Sequence, residues 1–379
     1  MGGTSERSSE EITESDMRVL HVIARMNVGG TATYLSNLIT GLQSQGVVNQ
    51  LAMGHVPPGE AEDAVVSTLP IRRIEHLSRE ISLSADRAAY GELKRAVAEF
   101  KPDLIHSHTF KAGMLMRLGK KSVPIIHSFH GHHLYDPEFG AGKRAVLNVI
   151  ERRLAKRSDA IVTIGAKVRD ELLAQGIGNA DQYTAIAPGI AALEKRDRLA
   201  VRNRLGISKG ALVVMWLGRF TEVKRPDRVV EIARAIPNAV FVLAGGGELL
   251  EKSRVGAPSN VVFVGFEDKN DMWAIADIGL CTSDSEGMPL SLIEAQMAGV
   301  PVVSTDVGSV AEIVSDGESG FVAPRDSAAL AERIKKLLES PQLRAEMGER
   351  SRSRASELFS AKTMVDAHLA LYRKVLARR

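Results

Sequence analysis

The stretch Ser283-Asp-Ser-Glu286-Gly-Met-Pro289-Leu-Ser-Leu-Ile-Glu294-Ala follows a short apolar run from Asp277 to Cys281, which is typical of a buried parallel strand. Pro289 predicts the first residue of a helix, because apolar side chains recur after it at helical spacing, at Leu290, Ile293 and Met297. The turn therefore lies at the carboxyl edge of a sheet, where open α/β folds bind ligands and helix N-termini hold anions. We expect Glu286 and Glu294 to reach one polar ligand, although the spacing alone leaves open that both are ordinary surface acids.

Composition narrows the classes of protein to which the chain can belong. Its 379 residues are enough for two domains, and 44% hydrophobic with 25% charged residues is typical of a soluble globular protein. The net charge of +3 gives no argument for nucleic acid as a partner. The single cysteine, Cys281, excludes an internal disulfide framework and fits a reducing compartment. With no apolar run of membrane-spanning length, these features predict a cytoplasmic protein.

The first sixteen residues differ from the rest of the chain. They contain five acidic residues, one arginine and several small polar residues, with no apolar core. This composition predicts a disordered leader rather than a signal peptide.

A strand, a glycine turn and a helix open the folded part of the chain. The strand is predicted at 18–24, the turn contains Gly29 and Gly30, and the helix covers 34–42. The turn lacks the G-x-G-x-x-G spacing of a dinucleotide fingerprint, which disfavours a nicotinamide cofactor and an oxidoreductase. Adjacent glycines would let backbone N–H groups approach a phosphate or a sugar, and a plain tight turn remains the alternative.

Strands and helices then alternate in two sets, which predicts two α/β domains with parallel sheets covered on both faces. We place an N-terminal Rossmann-like domain at 17–188, a C-terminal one at 189–360, and a final helix at 361–379. Further strands of the first domain are predicted at 49–53, 103–107, 125–129, 160–164 and 183–187. Those of the second are predicted at 211–217, 239–244, 260–264, 277–281, 301–304 and 320–322. Two such lobes usually bind their ligand in the cleft between them.

Strand ends in the second domain carry cations and glycines. Arg219 and Lys224 follow the strand at 211–217 and suit a diphosphate, whereas we expect Arg225 to face solvent. Gly218, Gly246 and Phe266 lie at successive strand ends, where glycines leave room for a flat ring. A solvated basic loop and ordinary glycine turns are the alternatives.

Six of the ten histidines fall between His106 and His133. A metal site is disfavoured because no cysteine is close and the nearby acids, Asp136 and Glu138, are predicted to lie in a loop. His130 directly follows a strand end and is predicted to face the cleft. His106 and His127 are predicted to be hydrogen-bonded core residues.

The segment 143–157 predicts a basic amphipathic helix with only Glu151 opposing its cations. Its apolar side is predicted to contain Val146, Leu147, Ile150 and Leu154. The charged face of such a helix is usually exposed to solvent. The alternative is that it contacts a phosphorylated lipid or, peripherally, the inner surface of an anionic membrane.

In order and spacing, these motifs resemble the retaining glycosyltransferases of family 4, which have the GT-B fold of two Rossmann-like domains facing across a cleft. The resemblance extends from Met17 to the C-terminus. It is carried by Asn27-Val-Gly-Gly30, Asp103-Leu-Ile-His-Ser-His108, Ser128-Phe-His130-Gly131, Gly218-Arg-Phe-Thr-Glu-Val-Lys224, Ala244-Gly-Gly-Gly-Glu248, Glu286 with Glu294, and the segment from Thr305 to Phe321.

The resemblance implies a role for each candidate residue. Arg219 and Lys224 would clamp the donor diphosphate, Glu286 and His130 would contact the donor sugar, and Glu294 would bind the ribose. The remaining donor-binding positions would be Gly29, Gly30, Gly218, Gly246, Phe266, Gly287, Met288, Pro289 and Leu290. The resemblance also implies that catalysis needs neither metal nor cofactor, and that the final helix returns to the first domain.

The implied function is transfer of a sugar, with a UDP-sugar as the expected donor, to the hydroxyl of a sugar, glycolipid or small-molecule acceptor. Such a reaction would serve the synthesis of cell-surface polysaccharide, glycolipid or another glycoconjugate. Two alternatives remain open: a sugar-nucleotide epimerase of the same fold, and a non-catalytic protein that binds nucleotide sugars.

Overall fold

The structure, a computed structural model, describes residues 17–58, 60–119, 121–131 and 140–378. The predicted leader at 1–16, two of the clustered histidines, His132 and His133, and the loop acids Asp136 and Glu138 lie outside the described residues. No helix in the described part of the chain is long and apolar enough to cross a membrane.

The first domain contains a seven-stranded parallel sheet. Its strands are β1 (Arg18–Ile23), β2 (Val48–Met53), β3 (Ile71–Arg73), β4 (Leu104–His108), β5 (Ile125–Phe129), β6 (Ala160–Thr163) and β7 (Tyr183–Ala185). They lie side by side in the order β3-β2-β1-β4-β5-β6-β7. The sequence did not predict β3, because this three-residue edge strand has two arginines and no apolar run.

Five helices connect these strands: α1 (Gly30–Ser44), α2 (Leu83–Phe100), α3 (Phe110–Leu118), α4 (Ala141–Ala155) and α5 (Ala166–Ala174). Their apolar faces cover both sides of the sheet, so that β4 and β5 are buried along their whole length. This double coverage explains why a strand such as β6, with the sequence Ala-Ile-Val-Thr, is apolar along most of its length.

The second domain contains a six-stranded parallel sheet. Its strands are β8 (Val213–Leu217), β9 (Val240–Ala244), β10 (Val261–Gly265), β11 (Ile278–Cys281), β12 (Val302–Thr305) and β13 (Gly320–Ala323). They lie in the order β10-β9-β8-β11-β12-β13. In the first sheet, successive strands are added on one side of β1 up to β3 and on its other side from β4 onward. In the second sheet, the same switch of direction occurs between β8 and β11. Ligands of open α/β sheets bind at such points.

Nine helices belong to the rest of the described chain. They are α6 (Arg198–Arg204), α7 (Pro226–Ala235), α8 (Leu250–Arg254), α9 (Lys269–Ile275), α10 (Leu290–Met297), α11 (Val310–Ile313), α12 (Ser327–Glu339), α13 (Pro341–Leu358) and α14 (Ala361–Leu376). The last of these lies on the first domain, where His368 bonds to the Tyr34 hydroxyl at 2.9 Å and the Tyr372 hydroxyl bonds to His106 at 2.6 Å. The chain therefore forms two Rossmann-like domains, as predicted, and its final helix crosses back from one to the other.

Candidate functional site

The acidic loop, residues 282–289, connects β11 to α10 at the carboxyl edge of the second sheet. Pro289 is not the first helical residue, contrary to the prediction: its ψ of 114° is extended, and α10 begins at Leu290. The Pro289 carbonyl accepts a hydrogen bond from the N–H of Leu292 at 3.2 Å, so the proline occupies the capping position. The helix start is thus displaced by one residue, and Met288 is buried in the core below it.

Glu286 is held by an ion pair and a hydroxyl. Lys224 Nζ lies 2.5 Å from its Oε1, and the Ser283 hydroxyl donates to the same oxygen at 2.6 Å. Burial and the nearby Glu286 charge raise the pKa of the Cys281 thiol, so this cysteine stays protonated. Lys224 and Glu286, predicted from separate motifs, are therefore direct neighbours in the structure.

The basic loop, residues 218–225, presents its three cations in different ways. Arg219 is exposed and has no ion pair among the described residues, so its guanidinium is available to an anion. Arg225 is not the solvent residue that the sequence predicted. It has a left-handed φ of 54°, and its guanidinium bonds to Asp227 and to Asp284. The carboxylates of Asp227 and Asp284 raise the pKa of Arg225 above its ordinary value.

Asp284 joins the acidic loop to the basic loop and to α7. Its two carboxylate oxygens accept from Arg225 at 2.9 Å and from Arg228 at 3.0 Å. Although burial acts in the opposite direction, these guanidinium groups lower the pKa of Asp284. The sequence did not single out this residue, because an isolated aspartate in a loop gives no signal until its partners are known.

The glycines at the ends of β8 and β9 allow the two turns to touch. Gly245 has a φ of 127°, and a Cβ there would lie 2.0 Å from the Gly218 carbonyl oxygen. A Cβ on Gly246 would lie 2.7 Å from the Phe266 ring, which is 76% exposed. The edge therefore carries an exposed aromatic face beside a bare backbone turn, an arrangement on which a flat ring can stack.

Glu294, on α10, is buried and bonded on both oxygens. Lys269 donates to Oε1 at 2.8 Å, and the Trp273 indole donates to Oε2 at 3.3 Å. A carboxylate has about four acceptor positions, so these two contacts leave capacity for ligand hydroxyls. Both partners lie on α9, and neither of them gave a signal in the sequence.

Two turns of the first domain lie against the acidic loop and the start of α10. A Cβ on Gly30 would lie 3.4 Å from the Leu290 side chain, and Gly29 before it has a φ of 151°. A Cβ on Gly287 would lie 3.2 Å from the His130 carbonyl oxygen. The structure therefore brings the glycine turn and the His130 turn of one domain to the donor-binding candidates of the other.

A second contact between the domains lies beside these turns. The Glu312 carboxylate, on α11, accepts from the backbone N–H groups of Ala166 at 2.8 Å and Lys167 at 3.0 Å. These groups belong to the first turn of α5, whose dipole favours a negative charge. Glu312 thus caps a helix of the opposite domain.

The histidines of the first domain form a buried network. Ring nitrogens of His21, His106 and His108 lie within 4.8 Å of one another, a geometry that could hold a metal ion. Each nitrogen is already bonded, however: those of His106 to Tyr372 and Ser128, and those of His21 and His108 to Asn49, to each other and to His130. A metal would have to displace these bonds, so the residues fit a hydrogen-bond network better than a metal site.

His127 and His106 lie on opposite faces of the first sheet. His127 pairs with Ser107, the neighbour of His106, and adjacent residues of a strand point to opposite faces. Its Nδ1 bonds to the Ser107 hydroxyl at 3.0 Å. Its Nε2 has no partner among the described residues, so the predicted full hydrogen bonding of this core histidine is wrong at one nitrogen. Burial lowers the pKa of His127 well below its ordinary value, so the ring is neutral.

The basic helix predicted at 143–157 is α4, and two details differ from the prediction. Glu151 does not oppose the surface cations, because it is buried and pairs with Arg117 at 3.0 Å. Leu147 and Leu154 are buried in the core, whereas the Val146 side chain is 60% exposed. Val149, on the same helix, is 43% exposed. The outer face therefore combines cations with exposed apolar side chains.

The chain matches two family models. Residues 29–189 match the glycosyl transferase 4-like domain, and residues 197–354 match the glycosyl transferases group 1. The chain is similar to D-inositol 3-phosphate glycosyltransferase of Streptomyces scabiei, at 28% identity over 93% of this chain and 88% of that protein.

Solved structures share the fold. Sucrose-phosphate synthase of Thermosynechococcus elongatus superposes with a TM-score of 0.83 at 20% identity, covering 96% of this chain and 100% of that one. HepE of Anabaena, in complex with UDP-glucose, superposes with a TM-score of 0.80 at 21% identity, covering 94% of this chain and 99% of that one. These similarities confirm the predicted GT-B fold.

Proposed function

The chain belongs to the family 4 glycosyltransferases of the GT-B fold, and on this basis we propose that it is a retaining enzyme that uses a UDP-sugar as donor. The proposed acceptor is the hydroxyl of a sugar, glycolipid or small molecule. The observation that carries the proposal is the arrangement at the carboxyl edge of the second sheet. There Arg219, which has no ion pair among the described residues, lies in the same loop as Lys224, the partner of Glu286.

The diphosphate is the first ligand group to consider. When the bond to the sugar breaks, negative charge develops on the leaving diphosphate, and cations already in place stabilise it. Arg219 can offer a forked pair of donors, and Lys224 a point charge. Lys224 has three donors, so it can bind a phosphate oxygen while it keeps its contact with Glu286. In this proposal, the two cations supply the charge compensation that the reaction needs.

The sugar would lie between the acidic loop and the His130 turn. Lys224 and Ser283 both bond to Glu286 Oε1, so its Oε2, which has no partner within the described residues, can accept from a sugar hydroxyl in a defined position. The acceptor hydroxyl would attack on the face that the diphosphate leaves, and a diphosphate oxygen would take its proton. The new bond forms on the side of the old one, which retains the anomeric configuration.

The nucleoside would extend toward Glu294 and Phe266. Glu294 has acceptor positions left for the ribose hydroxyls, and the exposed Phe266 ring beside Gly246 gives the base a surface to stack on. UDP is the proposed nucleotide because HepE, which shares the fold, is known in complex with UDP-glucose.

Peripheral contact with an anionic membrane is a further part of the proposal. It is supported by the outer face of α4, where Val146 and Val149 are exposed beside Arg152 and Arg153. Sedimentation with vesicles that contain anionic lipid would test it: Val146→Ser with Val149→Ser should reduce the bound fraction, and equal binding would contradict it.

A donor screen tests the main proposal. The purified protein is expected to be stabilised thermally by UDP or a UDP-sugar and to release UDP only when an acceptor is present. Conversion of the sugar nucleotide without acceptor would indicate an epimerase instead. Binding without turnover across a broad acceptor panel would favour a non-catalytic protein.

A further inference from the structure

A line of hydrogen bonds runs across three neighbouring strands of the first sheet and ends at His130, just after a fourth strand. His21 Nε2 bonds to Asn49 Oδ1 at 3.1 Å, His21 Nδ1 to His108 Nε2 at 3.2 Å, and His108 Nδ1 to His130 Nε2 at 3.1 Å. Asn49, His21 and His108 lie on the neighbouring strands β2, β1 and β4, and His130 follows β5. We call these four residues the histidine line.

Sheet register explains why the histidine line is straight. Asn49 pairs with Val19, His21 with His106, and His108 with Ser128. Side chains two residues apart share a face of a strand. Each step therefore moves to the next strand and two residues toward the carboxyl edge, which brings the line from the sheet interior to the His130 turn.

The Asn49 amide sets the direction of every bond in the histidine line. Its Nδ2 donates to the Val47 carbonyl at 2.9 Å, so its Oδ1 must be the atom that faces His21. An amide oxygen can only accept, and therefore His21 carries its proton on Nε2.

Neutral imidazoles transmit this choice along the line. Burial lowers the pKa of His21 and of His130 to about 3, and that of His108 well below its ordinary value, so each ring carries one proton. With its proton on Nε2, His21 offers a lone pair on Nδ1, to which His108 donates from Nε2. His108 in turn accepts at Nδ1 from the Nε2 proton of His130.

We infer that Asn49, through His21 and His108, fixes His130 in the tautomer whose Nδ1 is an acceptor. Within the described part of the chain this Nδ1 has no hydrogen-bond partner, and the His130 backbone faces Gly287 of the acidic loop. The Tyr34 and His130 rings pack edge to face, with centroids 4.6 Å apart, and this contact restricts the orientation of the His130 ring.

The inference rests on the proposed function and makes it more specific. A neutral acceptor at His130 Nδ1 selects a ligand group that can donate, such as a sugar hydroxyl. It disfavours a carboxylate or phosphate at the same place, because two acceptors would face each other. Asn49, His21 and His108 are thus positioning residues for donor selection, and His130 is the residue in contact with the sugar.

Nitrogen-15 NMR of histidine-labelled full-length protein tests the inference without any substrate. The His130 signals are identified by their loss in His130→Gln. At pH 7, the wild-type ring is expected to be protonated on Nε2 and bare on Nδ1. A proton on Nδ1 would overturn the inference, and this measurement needs no folded Asn49 variant.

The variant Asn49→Leu provides the second test, with Ser107→Ala as its control, since Ser107 is buried in the same sheet but bonds to His127 instead. Asn49→Leu should give a mixture of His130 tautomers and lower kcat/KM for the donor by about tenfold, the value of one hydrogen bond. Ser107→Ala should change neither. An unchanged tautomer or an unchanged kcat/KM in Asn49→Leu would overturn the inference.

These readouts separate the two proposals. If no sugar transfer is found with any donor but His130 shows the expected tautomer, the proposed function is wrong and the inference about the His130 tautomer holds. If transfer occurs but His130 carries its proton on Nδ1, the proposed function holds and the inference about the His130 tautomer is wrong.

Discussion

Glu312 of the second domain and Ala166 of the first are joined by a hydrogen bond of 2.8 Å between a carboxylate and a helix N-terminal N–H. A Cβ on Gly165, just before that helix, would lie 2.7 Å from the Glu312 carboxylate, so only glycine allows this approach. The contact holds the domains together beside the turns that carry His130 and Gly287. It therefore links domain closure to the geometry of the proposed donor site.

Replacing Glu312 should loosen the closed arrangement without unfolding either domain. Helix caps contribute about 0.5–2 kcal/mol, so Glu312→Ala should shift a closed–open equilibrium by roughly two- to thirtyfold toward the open form. We expect a larger radius of gyration in small-angle X-ray scattering and a lower kcat. Glu318→Ala, which removes an exposed acid of the same domain, is the control. Identical scattering from Glu312→Ala and the wild type would contradict a closing role.

Loss of Lys224 should lower kcat, whereas loss of Arg219 should mainly weaken donor binding. Lys224→Ala removes a cation from the diphosphate and leaves Glu286 without its ion pair, so we expect kcat to fall by about 10²–10³-fold. Arg219→Ala removes an exposed cation that has no ion pair in the described part of the chain, so it should weaken donor binding without disturbing Glu286. Steady-state kinetics and circular dichroism would measure both, with Lys252→Ala on α8 as a control for loss of surface charge. Near-normal turnover in Lys224→Ala would exclude it from the diphosphate site.

Glu294 should contribute to nucleotide binding through its remaining acceptor positions. Glu294→Gln keeps the size of the side chain but removes the charge that Lys269 and the ribose would share. We expect UDP affinity to fall by about tenfold, in keeping with the loss of a charged hydrogen bond. Calorimetry with UDP measures the effect, and Glu251→Gln, an exposed acid on α8, is the control. Unchanged affinity would remove Glu294 from the ribose site.

The two-domain fold was predictable because parallel strands covered on both faces are apolar along their length, as at 213–217 and 240–244. The prediction failed where the local signal was weak. The edge strand β3 has only one apolar residue, and the start of α10 depends on the ψ of Pro289, which the sequence does not reveal.

Side-chain partnerships were harder to predict than the motifs themselves. Lys224 and Glu286 were each identified, but their pairing requires β8 and β11 to be neighbours in the sheet. Three other pairs were harder still, because at least one member of each gave no signal in the sequence: Asp284 with Arg228, Glu294 with Lys269, and Asn49 with His21. Contacts of this kind depend on strand order and register, which a single sequence does not specify.

The buried histidines should make the protein sensitive to mild acid. Five are fully buried, and burial lowers the pKa of each: His21 to about 3, His368 to about 4, and His106, His108 and His127 well below the ordinary value. In the unfolded chain they titrate near 6.5, so below that pH the unfolded state binds more protons than the folded one. The free energy of unfolding is therefore fully retained above pH 6.5 and falls as the pH decreases.

Each such histidine should lower the free energy of unfolding by about 1.4 kcal/mol for each pH unit below 6.5. Urea denaturation between pH 7 and 5.5, above the range in which most carboxylates titrate, measures this slope. His127→Leu should reduce proton uptake on unfolding by about one proton, because it removes one buried ring. A free energy of unfolding that stays constant from pH 7 to 5.5 would show that these rings are not held neutral by burial.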